Sequence, residues 1–138
     1  MVKIHVEYLN DLHCQVTHGP SGQSFLTDAP LDNQGKAEYI SPTDLLAASI
    51  GSCIATIMGI KARDLGVDLG GLKIDVTKEM VHDPHRRVGK LTLEIQYPRR
   101  FDPKTQEILN NVVKICPVTR SLDPKVIFEP IFSFPNEN

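Results

Sequence analysis

The chain has 138 residues, with 15 Lys and Arg against 17 Asp and Glu, a net charge of −2 and 41% hydrophobic residues. This length favours one domain, residues 1–138, and excludes a two-domain enzyme. The near-neutral charge offers no broad positive surface for the phosphates of nucleic acid or of acidic lipid, so neither partner is expected.

The three cysteines are an odd number for a secreted disulfide framework. The first ten residues, MVKIHVEYLN, lack the apolar core of a signal peptide. The longest uncharged run, residues 45–60, has 16 residues and is shorter than the ~20 that cross a bilayer. We therefore expect a cytoplasmic protein with free thiols and no membrane partner.

The first part of the sequence predicts three short strands. Residues 2–8 alternate apolar and polar side chains, which is typical of a half-buried strand. Residues 12–18 and 24–27 predict two more strands, separated by the turn-rich segment 18–22. A loop follows.

A long helix is predicted from Ser41 to about Leu65. Residues 41–44, Ser-Pro-Thr-Asp, supply a Ser N-cap, a Pro at the first helical position and an Asp that can complete a capping box, while Gly66 offers a left-handed stop. Residues 45–60 are apolar around the whole helix axis. Such a helix must be covered on all sides, which one small domain can hardly do alone.

Residues 72–77 and 91–97 alternate and predict a β-hairpin. Its connection contains His82 and His85, two residue types that bind metals. Metal binding needs three or four converging ligands, and no third ligand lies nearby in sequence, so we expect no metal site.

The rest of the sequence predicts a second helix and a last strand. The helix starts at Asp102-Pro103 and is ended by Pro117, and a short helical turn follows at residues 118–122. The last strand, residues 126–134, contains Pro130, which restricts it to an edge or a bulge. The order of elements predicts an α+β fold with a mainly antiparallel sheet.

Two of the cysteines lie on the predicted helices. Cys53 is in the middle of the first and Cys116 at the end of the second, so the two thiols could meet although they are 63 positions apart. Two interpretations stay open, a redox pair or two core residues, because free Cys is among the most buried residue types. Cys116 also precedes a proline at the start of a helical turn, where free N–H groups favour a thiolate. Cys14 is interpreted as an incidental third thiol.

Two motifs resemble one family. Residues 41–53, SPTDLLAASIGSC, resemble the SPTELLxAAxGSC-type helix start of the OsmC/Ohr superfamily, and residues 115–118, ICPV, resemble its second-cysteine motif. The order of elements matches over nearly the whole chain. The resemblance implies an OsmC-like fold, with mainly antiparallel sheets wrapped around two central helices in an intertwined homodimer, which would cover the long helix.

The resemblance also implies a cysteine-based organic hydroperoxide reductase, a thiol-dependent peroxidase of the oxidative stress response without a bound cofactor. Cys53 would attack the peroxide as a thiolate and become a sulfenic acid, and Cys116 would condense with it to a disulfide. An external dithiol, small or of the lipoyl type, would reduce the disulfide. Apolar neighbours of both thiols favour organic over charged peroxides.

The sequence departs from the Ohr branch, which favours the OsmC-like branch. The Ohr branch activates its first Cys with an Arg from an N-terminal turn and a Glu at the helix start. In this sequence the corresponding turn, residues 18–22, has no Arg. The Glu position holds Thr43, and Asp44 follows it, either as a supporting residue or as a helix cap. The candidate activating cations, from either subunit, are His18, Arg63 and Arg120, of which Arg120 is preferred because it lies one turn beyond Cys116.

Two other functions remain open. The missing Arg and Glu favour a non-catalytic OsmC-like dimer that binds a small apolar ligand between its helices, whereas the paired cysteine motifs oppose it. The other alternative is a thiol-disulfide exchange protein with weak peroxidase activity.

Overall fold

The computed structural model describes residues 1–136, and the chain divides into two compact units, Met1–Leu46 and the part from Ala47 onward. Each unit contains one three-stranded sheet. The helices and sheets together make the α+β fold class that the sequence predicts. A single domain over residues 1–138 stays a prediction.

The first unit contains an antiparallel sheet of β1 (Ile4–Asn10), β2 (His13–His18) and β3 (Ser24–Thr27), in that order. All three strands lie within two residues of their predicted bounds. A short 3-10 turn, Leu31–Asn33, lies in the loop that follows.

The apolar face of β1 differs from the prediction, because every residue of this strand is exposed in the single chain rather than half-buried. The exposed fractions along this segment are 66% for Val2, 50% for Ile4, 65% for Val6 and 59% for Tyr8. Alternation along a strand shows which face is apolar, but it does not show what covers that face. The described chain leaves it open.

The long helix, α1 (Pro42–Asp64), begins and ends as predicted. The hydroxyl oxygen of Ser41 accepts the Asp44 N–H at 3.1 Å, and the Asp44 carboxylate accepts the Ser41 N–H at 3.2 Å, which is a complete capping box. Gly66 ends the helix in the left-handed conformation, with a φ of 66°, and its N–H donates to the carbonyl of Arg63 at 3.1 Å.

The single chain buries one side of α1 and exposes the other. Its buried residues are Ala47, Ile50, Gly51, Ile54, Met58 and Ala62. Its exposed residues include Ala48, Ser52, Thr56, Gly59 and Ile60. By length and composition alone, this 23-residue helix could cross a membrane, although its uncharged run, residues 45–60, is shorter than a bilayer requires. The core helix of a folded protein meets the same criterion of length and composition.

The second unit contains the sheet β4 (Lys73–His82), β5 (Arg86–Gln96) and β6 (Ile127–Ser133), in that order. β4 and β5 form the predicted antiparallel hairpin. β6 is an edge strand that contains Pro130, as predicted, but it pairs parallel to β5. One of the four strand pairs is therefore parallel, and the sheets remain mainly antiparallel.

Two further helices follow β5. The helix α2 (Pro103–Asn111) starts at the Asp102 cap, whose carboxylate accepts the Thr105 N–H at 3.0 Å, and it tightens into a 3-10 turn at Val112–Lys114. Pro117 then starts the short helix α3 (Pro117–Arg120). The core of this unit consists of side chains at most 1% exposed: Ile50, Ile54, Met58, Leu91, Leu93, Ile95, Leu109 and Val112.

Candidate active site

Cys53 lies in the middle of α1 and is half-buried. Its helix is held close to the sheet two residues earlier, because a Cβ at Gly51 would lie only 2.9 Å from Cγ2 of Val76 on β4. The backbone of Cys53 is therefore fixed by a regular helix with a tightly packed neighbour.

Cys116 is fully buried and occupies the N-cap of α3. Its backbone is extended, with φ −61° and ψ 121°, and its sulfur accepts the Thr119 N–H at 3.5 Å. The sequence prediction that a Cys before Pro117 caps a helical turn is confirmed. Thr119 itself was not predicted, although an N-cap residue regularly bonds to the N–H three positions later.

The two thiols lie close enough for each to shift the pKa of the other. The structure thus brings together two residues that are 63 positions apart, as the packing of the two predicted helices suggested. Two neighbouring thiols can form a disulfide, provided that one of them is first oxidised.

The pKa values of the two thiols are shifted in opposite directions. Burial, followed by the hydrogen bond with Cys116, raises the pKa of Cys53, and the Val118 N–H opposes this only in part. Burial also acts to raise the pKa of Cys116. Hydrogen bonds from Thr119, from the Cys53 thiol and from Val118 outweigh it, so that the pKa of Cys116 is lowered. Of the two thiols, Cys116 is therefore the one that loses its proton more readily.

None of the three candidate cations is among the causes of the Cys53 pKa shift. No Lys, Arg or His of the described residues contributes to the pKa shift of Cys53. Arg63 is exposed on the last turn of α1, about 15 Å along the helix axis from Cys53. Arg120 is exposed at the end of α3, and His18 lies in the first unit with its Nδ1 2.6 Å from the Ser21 hydroxyl.

Thr43 and Asp44 take part in the start of α1. Asp44 is the capping carboxylate, which was one of the two roles left open for it. The Thr43 hydroxyl lies 3.2 Å from the Ser41 hydroxyl. Both residues therefore fix the first turn of the helix that carries Cys53.

The remaining candidates lie away from the thiol pair in sequence and serve no shared site. His82 ends β4, His85 lies in the hairpin connection, and both are exposed. Cys14 is half-buried on β2, opposite Tyr8 on β1 and Thr27 on β3.

Comparison with known proteins identifies one family model, described as OsmC-like protein, which matches residues 35–130. This range contains both motifs, the whole of α1 and both cysteines of the pair. No curated protein matches the chain.

Several solved structures resemble the chain over almost its full length. A protein of Psychrobacter arcticus 273-4, named for an osmotic stress induced and detoxification response, is 44% identical, with a TM-score of 0.90 and 96% of each chain covered. An organic hydroperoxide resistance protein of Elizabethkingia anophelis is 12% identical, with a TM-score of 0.79 over 98% of this chain and 96% of that chain. The organic hydroperoxide resistance protein OhrB of Bacillus subtilis is 15% identical, with a TM-score of 0.72 over 96% of this chain and 98% of that chain. At these low identities the last two show a shared fold.

Proposed function

The chain belongs to the OsmC-like family, and from that premise we propose that it is a thiol-dependent organic hydroperoxide reductase. Cys53 attacks the peroxide, Cys116 resolves the product to an intramolecular disulfide, and an external dithiol, small or of the lipoyl type, reduces it. The observation that carries the proposal is the proximity of the two thiols, each of which shifts the pKa of the other.

Access and the direction of the two pKa shifts support the proposed roles. Cys116 is 0% exposed, whereas Cys53 is half-buried, so a peroxide that arrives from solvent reaches Cys53 first. The pKa of Cys53 is raised, so its thiol needs a base, and Cys116, whose pKa is lowered, is the adjacent group that can accept its proton. We propose that Cys116 acts first as the general base for Cys53.

The proposed steps balance as follows. Transfer of the proton to Cys116 leaves a thiolate on Cys53, which attacks the outer oxygen of R–O–O–H and breaks the O–O bond. The products are the sulfenic acid of Cys53 and an alkoxide, which takes the proton back from Cys116 to leave as alcohol. The Cys116 thiolate then displaces hydroxide from the Cys53 sulfur, and a solvent proton converts the hydroxide to water.

An uncharged organic peroxide fits this pair better than a charged one. The neighbours of Cys53 along α1 are Ile50, Ile54 and Ile57, and Cys116 is preceded by the buried Val112 and Val113. A charged substrate would lose its hydration there without a described cation to compensate it. The hydroperoxide resistance proteins of the same fold support this substrate class.

A homodimer is part of the proposal. The apolar residues of β1 and Ile60 on the exposed side of α1 are open in the single chain, and exposed apolar patches often mark an interface with another protein. A second copy that covers them could also supply the missing cation from His18, Arg63 or Arg120. We further propose a cytoplasmic location without nucleic-acid or membrane partners, which the net charge of −2 and the free cysteines support.

The test exposes reduced protein to cumene hydroperoxide and follows peroxide consumption and intact mass. We expect the mass to fall by two hydrogen atoms and a Cys53–Cys116 peptide to appear after digestion. Cys14→Ser is the matched control and should behave as wild type, whereas Cys53→Ser should consume no peroxide. Cys116→Ser should react more slowly, because it lacks the base, and should stop at the sulfenic acid. Wild-type protein that leaves the peroxide intact would refute the enzyme and favour the ligand-binding dimer. Disulfide formation with oxidised small thiols, but not with peroxide, would favour the exchange protein.

A further inference from the structure

Three side chains that can bind metals converge in the first unit, far in sequence from the thiol pair. They are His13 at the start of β2, Asp28 directly after β3, and Glu38 in the loop before α1. One ligand atom from each lies within 4.8 Å of the other two. Nε2 of His13 is 3.5 Å from Oδ2 of Asp28 and 3.2 Å from Oε2 of Glu38.

Asp28 is a buried carboxylate in a fixed position. Its side chain is only 1% exposed. The N–H groups of Lys36, at 3.3 Å, and Glu38, at 3.1 Å, donate hydrogen bonds to its Oδ2. The carboxylate is thus held beside the imidazole of His13.

The imidazole nitrogen that faces the two carboxylates has no hydrogen bond. Nε2 of His13 is buried and lacks a hydrogen-bond partner among residues 1–136, although two carboxylate oxygens lie close to it. A buried polar atom without a partner is rare and calls for an explanation. The carboxylate oxygens of Asp28 and Glu38 are close enough to this nitrogen, but they do not lie in a direction that allows a hydrogen bond.

The two nitrogen-to-oxygen distances suit a metal ion between the imidazole and the carboxylates. Zinc binds imidazole nitrogen and carboxylate oxygen at about 2.0–2.2 Å, and in a tetrahedral site two such ligands are about 3.4 Å apart. The two nitrogen-to-oxygen distances, 3.5 and 3.2 Å, lie on either side of this value. One imidazole with two carboxylates neutralises a divalent charge, and the nitrogen ligand favours a transition metal over Ca²⁺ or Mg²⁺.

We propose that His13, Asp28 and Glu38 bind one divalent transition metal ion of the zinc class, with water in the fourth position. The ion links β2, the end of β3 and the loop that leads into α1. It stabilises this unit and is independent of the peroxide chemistry, since neither Cys53 nor Cys116 is a ligand.

The test titrates reduced protein with Co²⁺ as a visible probe for the zinc class, and then with Zn²⁺ by calorimetry. We expect one Co²⁺ per chain with d–d bands but without the near-ultraviolet charge transfer that a thiolate ligand gives. Glu38→Gln and His13→Gln should each weaken binding at least about tenfold. The matched controls are Glu7→Gln and His5→Gln, the same residue types on the exposed strand β1, and they should bind as wild type.

Folding is checked separately from binding. Glu38 is half exposed, so Glu38→Gln should keep the far-ultraviolet circular dichroism of wild type in the presence of a chelator, even if His13→Gln does not fold. In NMR spectra of wild type, Zn²⁺ should shift the ring signals of His13 and leave those of His5 in place. The proposal is overturned if wild type shows no saturable binding, which would leave a plain imidazolium ion pair. It is also overturned if Glu38→Gln binds as wild type, or if binding shows thiolate charge transfer.

Discussion

Gly51 allows α1 to approach β4 closely, and replacing it by Ala sets two effects of similar size against each other. In a helix, Gly→Ala gains about 1 kcal/mol, because Ala has the higher helix propensity. The added methyl group would lie 2.9 Å from Cγ2 of Val76 and 3.8 Å from Cγ2 of Ile74, and overpacking of this kind costs about 1–3 kcal/mol. Gly51→Ala should therefore destabilise the protein by about 0–2 kcal/mol.

Removal of Cγ2 of Val76 should turn Gly51→Ala from a destabilising into a stabilising substitution. Val76→Ala alone costs about 1–2 kcal/mol, because it deletes two half-buried methyl groups. In that background the added methyl group no longer meets Cγ2 of Val76 and keeps only an ordinary contact with Ile74, so Gly51→Ala should stabilise by about 1 kcal/mol. The coupling energy between the two positions should then be about 1–3 kcal/mol.

The measurement is urea unfolding of the four proteins at one fixed protein concentration, with equal m values as the check on two-state behaviour. The matched control is Val81→Ala on the same strand, about 16 Å from Val76, where Gly51→Ala should have its wild-type effect. If Gly51→Ala stabilises the wild-type chain as much as it stabilises Val76→Ala, α1 and β4 are not in close contact and the reasoning fails. Such a result would also mean that packing of α1 against β4 does not fix the backbone of Cys53.

Three other predictions concern the thiol pair and the start of α1. A Cys53–Cys116 disulfide closes a loop of 63 positions and should stabilise the oxidised protein by about 4 kcal/mol in urea unfolding, in wild type and Cys14→Ser but not in Cys116→Ser. Thiolate absorbance should appear in wild type below the usual pKa of about 8.5, and Cys53→Ala should shift this titration upward, because it removes the thiol that donates to Cys116. An unchanged titration in Cys53→Ala would contradict the hydrogen bond from Cys53 to Cys116. Because folding lowers the pKa of Cys116, its thiolate stabilises the fold above pH ~8.5, and this stabilisation is lost as the pH falls through the lowered pKa. Ser41→Ala should cost about 1 kcal/mol through loss of the helix cap, whereas Ser41→Thr should keep most of it, and equal stability of both variants would argue against the capping box.

Signals that are local in sequence predicted the fold well. The bounds of α1 follow from a cap-and-proline start and a glycine stop, and both involve residues within one turn of each helix end. The edge position of β6 follows from Pro130, which has no N–H to donate to a second neighbour.

Features that depend on distant partners could not be predicted. The alternation in β6 is the same for a parallel and an antiparallel strand, so its direction relative to β5 is not encoded locally. The open faces of β1 and α1 have the predicted apolar pattern, but burial depends on a covering surface that the single chain does not provide.

The candidate site was predicted in part. Two helices with apolar faces were enough to suggest that Cys53 and Cys116 could meet, and Pro117 indicated the cap at Cys116. The lowering of the Cys116 pKa depends on N–H groups that only the folded turn provides. His13, Asp28 and Glu38 were missed because they are spread over 26 positions without a ligand-like spacing.

The parallel pairing of β6 sets the order in which the second sheet can assemble. β4 and β5 are joined by three residues, 83–85, and such a hairpin forms in about 1–10 μs. β6 can pair with β5 only after the chain has returned through residues 97–126, the crossover that contains α2, α3 and Cys116. A chain that has formed only the hairpin has not yet closed this crossover. We therefore expect the contact between Cys53 and Cys116 to form after the hairpin, when the segment that carries Cys116 docks.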